Sequence, residues 1–563
     1  MNDIIGLNVG SCQNCYKCIR NCPIKSISFK NDGANVIKNE CVLCGTCVQI
    51  CPQDAKVVRD ETLQVKKLIQ EGQRVYISLA PSWEAYFSDL TYEELCGMLL
   101  SLGFAGVEET AIGAEATSGE YIKLLSEAKM ENIITTACPS VVMLVEQHYP
   151  ELIPMLAPVL SPMEAHAKRM RETYGEIRVV FAGPCLSKMR EAEDPLSGGY
   201  VNHALTFTAL DHWLSERGEI KPNAGGALGV GDPIARLYPK PAGILKTIPN
   251  EKLNAYRQVA VDGFDSCVEL FDWLRSSGET GLFIETNLCK GGCLGGPVMR
   301  LAGKAPFRAI GLIDGAKKSR DVRPAPSSMV ETRYPRVFAD RMSRSEAPSE
   351  EAIREVLAKI GKTSPEQELN CGSCGYPTCR AKALAVLQGK AELTMCLPYL
   401  RQRAENISST VIQNSPNGII ALDKDLCVLE MNPKAEAMFG VTKAESLGFP
   451  IAEFFCEDAI PAAKESGKPV TKNGVTTSAG VIAEETFTHI RDHDMYIVFV
   501  KDITAEEQQR EKLDGLRNTT IEAAQKVIDK QMRVAQEIAS LLGETTAETK
   551  VVLTKLQKSM NER

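Results

Sequence analysis

Short apolar runs alternate with helix-like periodicity through the first half of the chain. Between residues 70 and 315, runs such as 75–79, 179–181 and 282–284 are separated by segments whose apolar positions recur with the helical period. Buried parallel strands have continuous apolar sequences, and the helices between them cover both faces of the sheet. The pattern therefore predicts an α/β domain with parallel strands over 70–315.

A change of composition marks the end of this domain. Residues 316–350 are rich in Pro, Ser, Arg and Glu and have little periodicity, so we expect a linker there. Residues 351–402 open with a helical pattern, 405–504 alternate short strands and turns, and 505–563 are polar and helical. Together with a cysteine-rich segment at 1–60, this predicts a multidomain chain of mixed α+β and α/β class.

The segment 505–563 carries apolar positions at coiled-coil spacing. Such a seam favours a coiled coil and hence a homodimer. The alternative is a single amphipathic helix packed on its own domain, and the polar Gln531 keeps that alternative open. The two heptad columns are Ala524, Gln531 and Ile538, and Val527, Val534 and Leu541.

Charge and termini narrow the range of partners. The 563-residue chain has a formal net charge of -8, and its Lys and Arg residues are scattered, so it lacks the basic surface that attracts nucleic acid or anionic membranes. No apolar run reaches the roughly 18 residues of a membrane span, and the first residues lack the basic and apolar regions of a signal peptide. We therefore expect a cytoplasmic protein without nucleic-acid or membrane partners.

The 20 cysteines indicate metal chemistry, because cytoplasmic thiols are kept reduced. Two runs in 1–60 have the spacing of a two-cluster [4Fe-4S] ferredoxin, in which the fourth cysteine of each run ligates the other cluster. Zinc is the alternative, but it favours separated C-x2-C pairs or Cys/His mixtures, and this segment has no histidine. The predicted ligand sets are Cys12, Cys15, Cys18 and Cys51, and Cys22, Cys41, Cys44 and Cys47.

Four isolated cysteines follow apolar runs in the α/β region. In an open parallel sheet, they would converge at the carboxyl edge, where ligands bind. Taken singly, each is as readily a small buried side chain, so their spacing alone leaves the choice even. They are Cys138, Cys185, Cys289 and Cys293.

The residues around these cysteines resemble the three signatures of [FeFe]-hydrogenases. The matching stretches are 136–139 (TACP), 183–191 (GPCLSKMRE) and 285–296 (ETNLCKGGCLGG). The resemblance implies a [4Fe-4S] cluster on the four cysteines, with Cys293 bridging it to a diiron unit that carries CO, cyanide and an azadithiolate, together called the H-cluster. It further implies reversible cleavage of H2 to protons and electrons, and maturation proteins that assemble the centre.

The resemblance also assigns roles to polar neighbours. Bound cyanides carry negative charge, which needs donors in a dry pocket. Lys188 fits one such donor, and Pro81 and Ser82 lie in the stretch that supplies donors to the second cyanide. The alternatives are an exposed helix lysine and a turn serine. We expect the glycines at 291, 292, 295 and 296 to let the backbone approach the cluster closely.

The sequence departs from the catalytic members of that family at the proton relay. Those members carry a second cysteine just before the first cluster ligand, where this chain has Ala137, whose methyl group cannot carry a proton. Glu191, farther along the relay, is retained, while Gly183 and Asn287 replace two methionines that normally pack near the diiron unit. We therefore expect slow turnover, which suits a sensor of H2 better than a metabolic enzyme.

A second cysteine group follows the linker. Its spacing, C-x2-C-x4-C-x16-C, resembles the small [4Fe-4S] domain of corrinoid iron–sulfur proteins and sensory hydrogenases, with zinc as the alternative. This predicts a small helical cluster domain over 351–402. The four cysteines are Cys371, Cys374, Cys379 and Cys396.

Residues 405–504 resemble a PAS domain, from 415–420 through 432–436 to 499–504. A PAS domain followed by a coiled coil transmits a signal, since a small rotation in one changes packing in the other. No kinase or phosphatase motif follows, so we expect the output to reach a separate signalling kinase or phosphatase. His489 and His493 are interpreted as exposed strand or turn residues, not haem ligands.

Four further cysteines have no motif around them and are interpreted as small buried side chains. They are Cys96, Cys267, Cys427 and Cys456.

Two other functions remain open at this point. One is a metabolic hydrogenase that exchanges electrons with ferredoxin or another redox carrier. The other is a non-enzymatic iron–sulfur relay without the diiron unit.

Overall fold

The computed structural model describes residues 3–30, 33–217, 227–253, 255–316, 334–344, 348–450, 459–542 and 547–561. The chain divides into two compact units, Met1–Tyr399 and Leu400–Arg563. Across the ranges that are described, no helix is long and apolar enough to cross a membrane.

Two short antiparallel ladders hold the cysteine-rich N-terminal segment. Its elements are β1 (Ile5–Leu7), α1 (Lys17–Asn21), β2 (Ile27–Lys30), β3 (Gly33–Val36), α2 (Thr46–Gln49) and β4 (Lys56–Val58). β1 pairs with β4, which joins Ile5 to Val58, and β2 pairs with β3. Ile19, Ile27 and Phe29 are buried between the ladders. The predicted ferredoxin-like region is confirmed.

An α/β domain with two parallel sheets follows. Its elements are α3 (Thr62–Gln70), β5 (Val75–Leu79), α4 (Trp83–Tyr86), α5 (Tyr92–Ser101), β6 (Gly106–Glu109), α6 (Ala111–Glu127), β7 (Asn132–Ile134), α7 (Pro139–His148), α8 (Pro162–Tyr174), β8 (Arg178–Gly183), α9 (Ser187–Glu193), β9 (His203–Thr206), α10 (Phe207–Glu216), β10 (Ala227–Gly229), α11 (Asn250–Leu253), β11 (Arg257–Asp262), α12 (Phe264–Ser277), β12 (Leu282–Asn287), α13 (Pro297–Leu301) and α14 (Pro306–Ala316).

The strands are ordered β10-β6-β5-β8-β9 in one sheet and β11-β12-β7 in the other. Every strand pairing in both sheets is parallel. All residues of β5 and β12 are buried, which explains the apolar runs at 75–79 and 282–284. The predicted α/β class with parallel sheets is confirmed.

Residues 334–344 lie in the segment expected to be a linker, yet they pack on the α/β domain. The backbone N–H of Leu160 donates to Tyr334 O at 2.8 Å, and that of Arg336 donates to Pro158 O at 3.2 Å. Tyr334 and Arg336 are buried. Composition could not predict this packing. It depends on buried acidic residues elsewhere in the chain, which bind the Arg side chains of this segment.

The second cysteine group lies among helices α15 (Glu350–Lys359), α16 (Cys379–Leu387) and α17 (Leu397–Gln413). Ser349 and Thr378 cap the first two helices, since their hydroxyls accept from Ala352 N and Ala381 N. Apolar side chains of α15 and α16 form a small core beside Cys396. The predicted small helical domain therefore packs around its own cysteines.

In the second unit, a five-stranded antiparallel sheet has the order β14-β13-β17-β16-β15. The elements are β13 (Gly418–Leu422), β14 (Val428–Met431), α18 (Pro433–Phe439), α19 (Lys443–Ser446), α20 (Ala459–Ser466), β15 (Val470–Thr476), β16 (Ile482–Ile490) and β17 (Met495–Asp502). Asn432 Oδ1 accepts from Ile419 N at 2.8 Å and from Ala435 N at 2.9 Å, which ties β13 to the start of α18. The antiparallel sheet that a PAS domain requires is confirmed.

Two helices, α21 (Thr504–Leu542) and α22 (Ala547–Asn561), end the chain. They lie side by side, with Gln557 Nε2 donating to Gln525 Oε1 at 2.8 Å. The long helix is confirmed. The predicted seam is not the face that α22 covers: Val527, Val534 and Ile538 are 60%, 45% and 51% exposed. The side chain of Leu541 lies outside the described residues, and homodimerisation stays a prediction.

Candidate metal centres

Four cavities of the first unit are each lined by four cysteines. The groupings equal the ligand sets expected from the sequence; the ligand roles themselves stay predictions. The cavities are lined by Cys12, Cys15, Cys18 and Cys51; by Cys22, Cys41, Cys44 and Cys47; by Cys138, Cys185, Cys289 and Cys293; and by Cys371, Cys374, Cys379 and Cys396.

In the N-terminal segment, each cavity combines three cysteines of one loop with a fourth from the other loop. The pairing of β1 with β4 brings the two ends of the segment together and so delivers Cys51 to the first loop. Tyr16 (φ 56°) and Gly45 (φ 73°) have left-handed backbone, which turns each loop around its cavity. We call the cavity of Cys12 the first ferredoxin site and that of Cys22 the second ferredoxin site.

The four cysteines of the α/β domain form a cavity at the carboxyl ends of strands from both sheets. Cys138 follows β7, Cys185 follows β8, and Cys289 and Cys293 follow β12. The cavity reaches Leu43 of the ferredoxin-like segment. Parallel strands point their carboxyl ends at one edge, which explains how residues so distant in sequence meet. We call this cavity the central site.

Burial shifts the pKa of the thiols at the central site. It is the main cause that raises the pKa of Cys138, Cys289 and Cys293, and the neighbouring cysteines raise the pKa further. Metal ligation requires thiolates, so binding at this site must release protons. A buried group of thiols is stable as thiolates only when a metal supplies compensating positive charge.

The cysteine groups do not suit a single metal ion. Among the residues that the structure describes, no three His, Cys, Asp or Glu side chains are arranged to hold one ion. Tetrahedral zinc requires four ligand atoms within about 2.3 Å of one point. Four thiols around a cavity instead fit a larger group such as a cubane, so the geometry disfavours the zinc alternative at all four sites.

The glycines after Cys289 lie in two settings. Gly292 (φ 65°) and Gly295 pass close to the protein's own backbone: an added Cβ would lie 2.3 Å from Pro239 O and 1.9 Å from Lys290 O, respectively. At Gly296, a Cβ would lie 3.9 Å from Cys289 Sγ. Gly292 and Gly296 line the central site, and the close approach of the backbone to a cluster there stays a prediction.

Lys188 lies close to the central site but is fully engaged by protein acceptors. Its Nζ donates to Glu191 Oε2 at 2.6 Å, to Ser161 Oγ at 3.0 Å and to Ala137 O at 3.3 Å. Its charge is among the effects that lower the pKa of Cys293. Lys188 does not line the cysteine cavity. The exposed helix lysine considered as an alternative is ruled out by its burial.

Sequence reasoning missed Arg336, which completes this buried network. Its Nη1 lies 2.7 Å from Glu191 Oε1, and its Nη2 donates to Ser197 Oγ at 3.1 Å. The Glu191 side chain is 0% exposed, so it is a carboxylate shared by two cations, Lys188 and Arg336. No sequence signal pointed to Arg336, since it lies in the segment that composition assigns to a linker.

Pro81 and Ser82 are buried at the start of α4, directly after β5. The Ser82 side-chain hydroxyl has no hydrogen-bond partner among the described residues, although Ser82 is only 1% exposed. An unpaired buried hydroxyl is costly, so it marks a place where an acceptor belongs. The residues present thus fit a group that accepts a hydrogen bond there, although Ser82 does not line the cysteine cavity itself.

The three departures from catalytic hydrogenases have clear structural settings. Ala137 is partly buried, and its carbonyl accepts from Lys188. At Gly183, a Cβ would lie 2.6 Å from the Phe181 ring, so Phe181 fills the space that a longer side chain would need. Asn287 lines the central site, and its Nδ2 donates to Glu285 Oε1 at 3.4 Å.

The burial of the remaining cysteines and histidines agrees only in part with the predictions. Cys96 and Cys267 are buried as predicted. For Cys427 the prediction is wrong, because it lies partly exposed in the turn before β14, whereas Cys456 lies outside the described residues. His493 is exposed, but the His489 side chain is only 9% exposed and stacks on Tyr496 at 4.7 Å.

Four regions of the chain match known families. Residues 4–52 match the 4Fe-4S dicluster domain, and 73–225 match the iron only hydrogenase large subunit, C-terminal domain. Residues 367–398 match an Fe-S cluster family, and 408–503 match the PAS fold.

Curated relatives match over shorter stretches. The NADP-reducing hydrogenase subunit HndD of Solidesulfovibrio fructosivorans is 23% identical over 188 residues, which are 29% of this chain and 32% of that protein. The cytosolic Fe-S cluster assembly factor NAR1 of Vanderwaltozyma polyspora is 26% identical over 232 residues, 38% of this chain and 44% of that protein. The chain thus spans less than half the length of these two relatives.

Solved structures are similar to separate parts of the chain. A variant of [FeFe]-hydrogenase HydA1 from Chlamydomonas reinhardtii is 18% identical with a TM-score of 0.39, covering 51% of this chain and 100% of that one. The PAS domain of nitrogen regulation protein NR(II) from Vibrio parahaemolyticus is 20% identical with a TM-score of 0.16, covering 17% of this chain and 98% of that one. By the four family matches, the chain combines an iron-only hydrogenase large-subunit domain with a 4Fe-4S dicluster, an Fe-S domain and a PAS domain, which is a sensory-type architecture.

Proposed function

We propose that this chain is a sensory [FeFe]-hydrogenase that binds H2, cleaves it reversibly and slowly to protons and electrons, and reports the outcome through its PAS domain. The observation that carries the proposal is the convergence of Cys138, Cys185, Cys289 and Cys293 on one buried cavity. In this proposal the four thiolates hold a [4Fe-4S] cluster, and Cys293 also bridges to a diiron unit.

The diiron unit would supply the hydrogen chemistry when bound, and the protein would supply ligation, donors and exclusion of water. Ser82 is the best-supported donor, because its buried hydroxyl lacks a partner among the described residues. Lys188 contributes positive charge held in place by Glu191 and Ser161. Pro81 belongs to the same turn as Ser82 and fixes its backbone.

Slow turnover is argued from Ala137. The residue before Cys138 carries no group that can accept a proton, so a proton leaving the site has no side-chain carrier at this position. Glu191 cannot replace it readily, since both its oxygens are engaged by cations. Proton transfer by a positioned side chain contributes about 10²- to 10⁴-fold in rate, so the absence of one carrier supports slow turnover.

The three other cysteine sites would hold [4Fe-4S] clusters that carry electrons. Cys15 of the first ferredoxin site is exposed, which suits electron exchange with ferredoxin or another carrier. The PAS domain and α21 would pass the redox or H2 state to a signalling kinase or phosphatase. Dimerisation through the PAS domain and the exposed seam of α21, assembly by maturation proteins and a cytoplasmic location belong to the same proposal.

Infrared spectroscopy of the full chain, matured with its assembly proteins, tests the proposal. We expect vibrations of CO and cyanide in the wild-type protein and their loss in Cys293→Ser. Cys96→Ser is the matched control, because Cys96 is a buried cysteine of α5 that lines none of the four cavities. Absence of these bands from the wild type would contradict the proposal.

A relay without the diiron unit is the second candidate. It is favoured by the similarity to an Fe-S cluster assembly factor, which is as strong as the similarity to the hydrogenase subunit. Such a relay would show cubane signals but no CO or cyanide bands. A metabolic hydrogenase, the other alternative, would show the bands together with fast turnover.

A further inference from the structure

The C-terminal cysteine site packs directly on the ferredoxin-like segment. Phe29 N donates to Lys390 O at 2.8 Å, and Lys390 Nζ lies 2.7 Å from Glu40 Oε2. Gly375 (φ 93°) passes over α1 so closely that a Cβ there would lie 2.9 Å from Ile19 Cγ2. The loop after Cys374 therefore lies against the helix that leads to Cys22.

Lys25 joins these two loops through its amino group. Its Nζ donates to Arg20 O at 2.8 Å, to Gly375 O at 3.0 Å and to Ile19 O at 3.1 Å. The carbonyls of Arg20 and Ile19 belong to the end of α1, just before Cys22. The carbonyl of Gly375 directly follows Cys374. The Lys25 ammonium thus lies between a ligand loop of the second ferredoxin site and a ligand loop of the C-terminal site.

Electrostatics point to the same position for Lys25. Burial lowers the pKa of Lys25, and the two groups that oppose this effect most strongly are the thiols of Cys22 and Cys374. Each thiol lines a different cavity. The lysine is therefore within electrostatic reach of both cavities at once.

Tyr376 occupies the boundary between the same cavities. It lines the C-terminal site, is 4% exposed, and its hydroxyl has no hydrogen-bond partner in the described part of the chain. A second cation lies at this boundary, because Arg20 Nη2 donates to Ser373 O, between Cys371 and Cys374, at 3.1 Å. That bond is exposed, whereas the bonds of Lys25 to Ile19 O and Gly375 O are partly buried.

The first ferredoxin site has a different neighbour. Lys56 lines that site, and its charge lowers the pKa of Cys18 there and of Cys47 in the second ferredoxin site, in both cases against the larger effect of burial. The second ferredoxin site thus shares one lysine with the first site and another with the C-terminal site. It also adjoins the central site, since a Cβ at Gly45 would lie 2.5 Å from Pro297 Cβ.

We infer that Lys25 is a positioning residue shared by the second ferredoxin site and the C-terminal site, which fixes them side by side and raises the reduction potentials of both. The inference rests on the proposed function, in which both sites hold [4Fe-4S] clusters. A reduced cluster carries one more negative charge than an oxidised one, so a nearby fixed cation favours reduction. The second ferredoxin site is then a branch point.

The transfer that this arrangement serves is a one-electron exchange. The cluster at one site is oxidised by one electron as the cluster at the other is reduced by one, and no bond or proton changes. The electrons come from H2 in the proposed reaction, and from dithionite in the test below. An electron reaches the C-terminal site without visiting the first ferredoxin site.

The test is a redox titration of the full chain, loaded with iron and sulfide and followed by electron paramagnetic resonance. Cys18→Ser and Cys374→Ser identify the signals of the first ferredoxin and C-terminal clusters. In Lys25→Met, we expect reduction to become about tenfold less favourable at both the second ferredoxin and the C-terminal cluster, which is about 59 mV for one electron. The first ferredoxin cluster keeps its potential, and Lys25→Arg restores the other two.

Lys390→Met is the matched control. It removes a lysine from the same interface, where its amino group pairs with Glu40, the residue before Cys41 of the second ferredoxin site. We therefore read this control at the C-terminal cluster, whose potential we expect to stay unchanged. A shift of the C-terminal cluster in Lys390→Met equal to that in Lys25→Met would overturn the inference, because loosening of the interface would then explain both.

Unchanged potentials in Lys25→Met would also overturn it, and so would a shift at only one of the two clusters. If the wild type lacked a cubane signal at the C-terminal site, the inference would fail together with that cofactor of the proposed function. Missing CO and cyanide bands would count only against the diiron unit, since dithionite reduces the cubanes with or without it.

Discussion

Arg336→Met removes one cation from the buried network around Glu191. In the wild type, the Glu191 carboxylate is 0% exposed and lies 2.7 Å from Arg336 and 2.6 Å from Lys188. The Arg336 side chain is 5% exposed, and its backbone N–H donates to Pro158 O. The substitution keeps an unbranched apolar stem but leaves the carboxylate with a single cation.

The magnitude follows from the burial of both partners. Breaking a buried ion pair by removing one partner costs about 3 to 5 kcal/mol. Glu191 keeps Lys188 and the hydroxyl of Ser161, so we expect the lower end of this range, about 3 kcal/mol. At about 1.4 kcal/mol per factor of ten, local opening of residues 334–341 becomes roughly 100-fold more frequent.

Hydrogen exchange of the full chain, read by mass spectrometry, measures this opening. We expect peptides that cover 334–341 and α9 to exchange roughly 100-fold faster in Arg336→Met. Arg344→Met is the control, because Arg344 pairs with Asp340 at the surface, where a pair contributes about 1 kcal/mol or less. Equal exchange in the two variants would refute the argument that Arg336 anchors this segment to the α/β domain.

Four further predictions concern separate features of the chain. Ala137→Cys should raise H2 turnover at least about tenfold, measured by H2 evolution with a chemical reductant, because it restores a proton carrier beside Cys138. Gly295→Ala should reduce the iron content of the matured protein, since the added Cβ would lie 1.9 Å from Lys290 O and displace the loop that carries Cys293. Burial raises the pKa of Glu485 to about 7, so the folded PAS domain holds that proton more strongly than the unfolded chain does. The stability of the domain should therefore fall as the pH rises from about 4.5 to about 7. Glu485→Gln should remove this pH dependence, as measured by hydrogen exchange corrected for intrinsic pH effects. Val534→Asp should weaken self-association at least about 100-fold in analytical ultracentrifugation, because each chain loses an apolar seam residue.

Each of these variants has a neighbour that serves as its control. Ala137→Ser tests whether a hydroxyl is enough, and a wild-type rate already as high as that of Ala137→Cys would count against the sensor interpretation. Gly311→Ala, in α14, meets no atom within 4 Å and should retain the iron. Glu484→Gln, next to Glu485 on the opposite face of β16, should leave the pH dependence intact. Arg533→Asp lies outside the seam and should not alter self-association. A wild-type chain that is monomeric in analytical ultracentrifugation would disprove the dimer.

The sequence carried enough information to group the cysteines but not to describe what surrounds them. Spacing within a loop is local, so Cys12, Cys15 and Cys18 could be assigned to one cavity in advance. Continuous apolar runs placed Cys138 and Cys185 at strand ends, although strand pairing into two sheets depends on long-range packing that a run of apolar residues does not encode.

Side-chain partners were less predictable for the same reason. Arg336 belongs to a segment of linker-like composition, and only the position of Glu191 in the folded domain explains its burial. The glycines around Cys293 look alike in sequence, yet Gly292 and Gly295 face backbone carbonyls and Gly296 approaches Cys289. His489 resembles an exposed strand residue until Tyr496 on the next strand is known.

The central claim is that thiolates from two sheets meet around an iron centre larger than a cubane. Anomalous diffraction at the iron edge, from crystals of the matured full chain, tests it most directly. The account predicts iron in all four cysteine cavities, with additional iron beside Cys293 at the central site. Iron confined to the four cavities, with none beyond Cys293, would contradict the account.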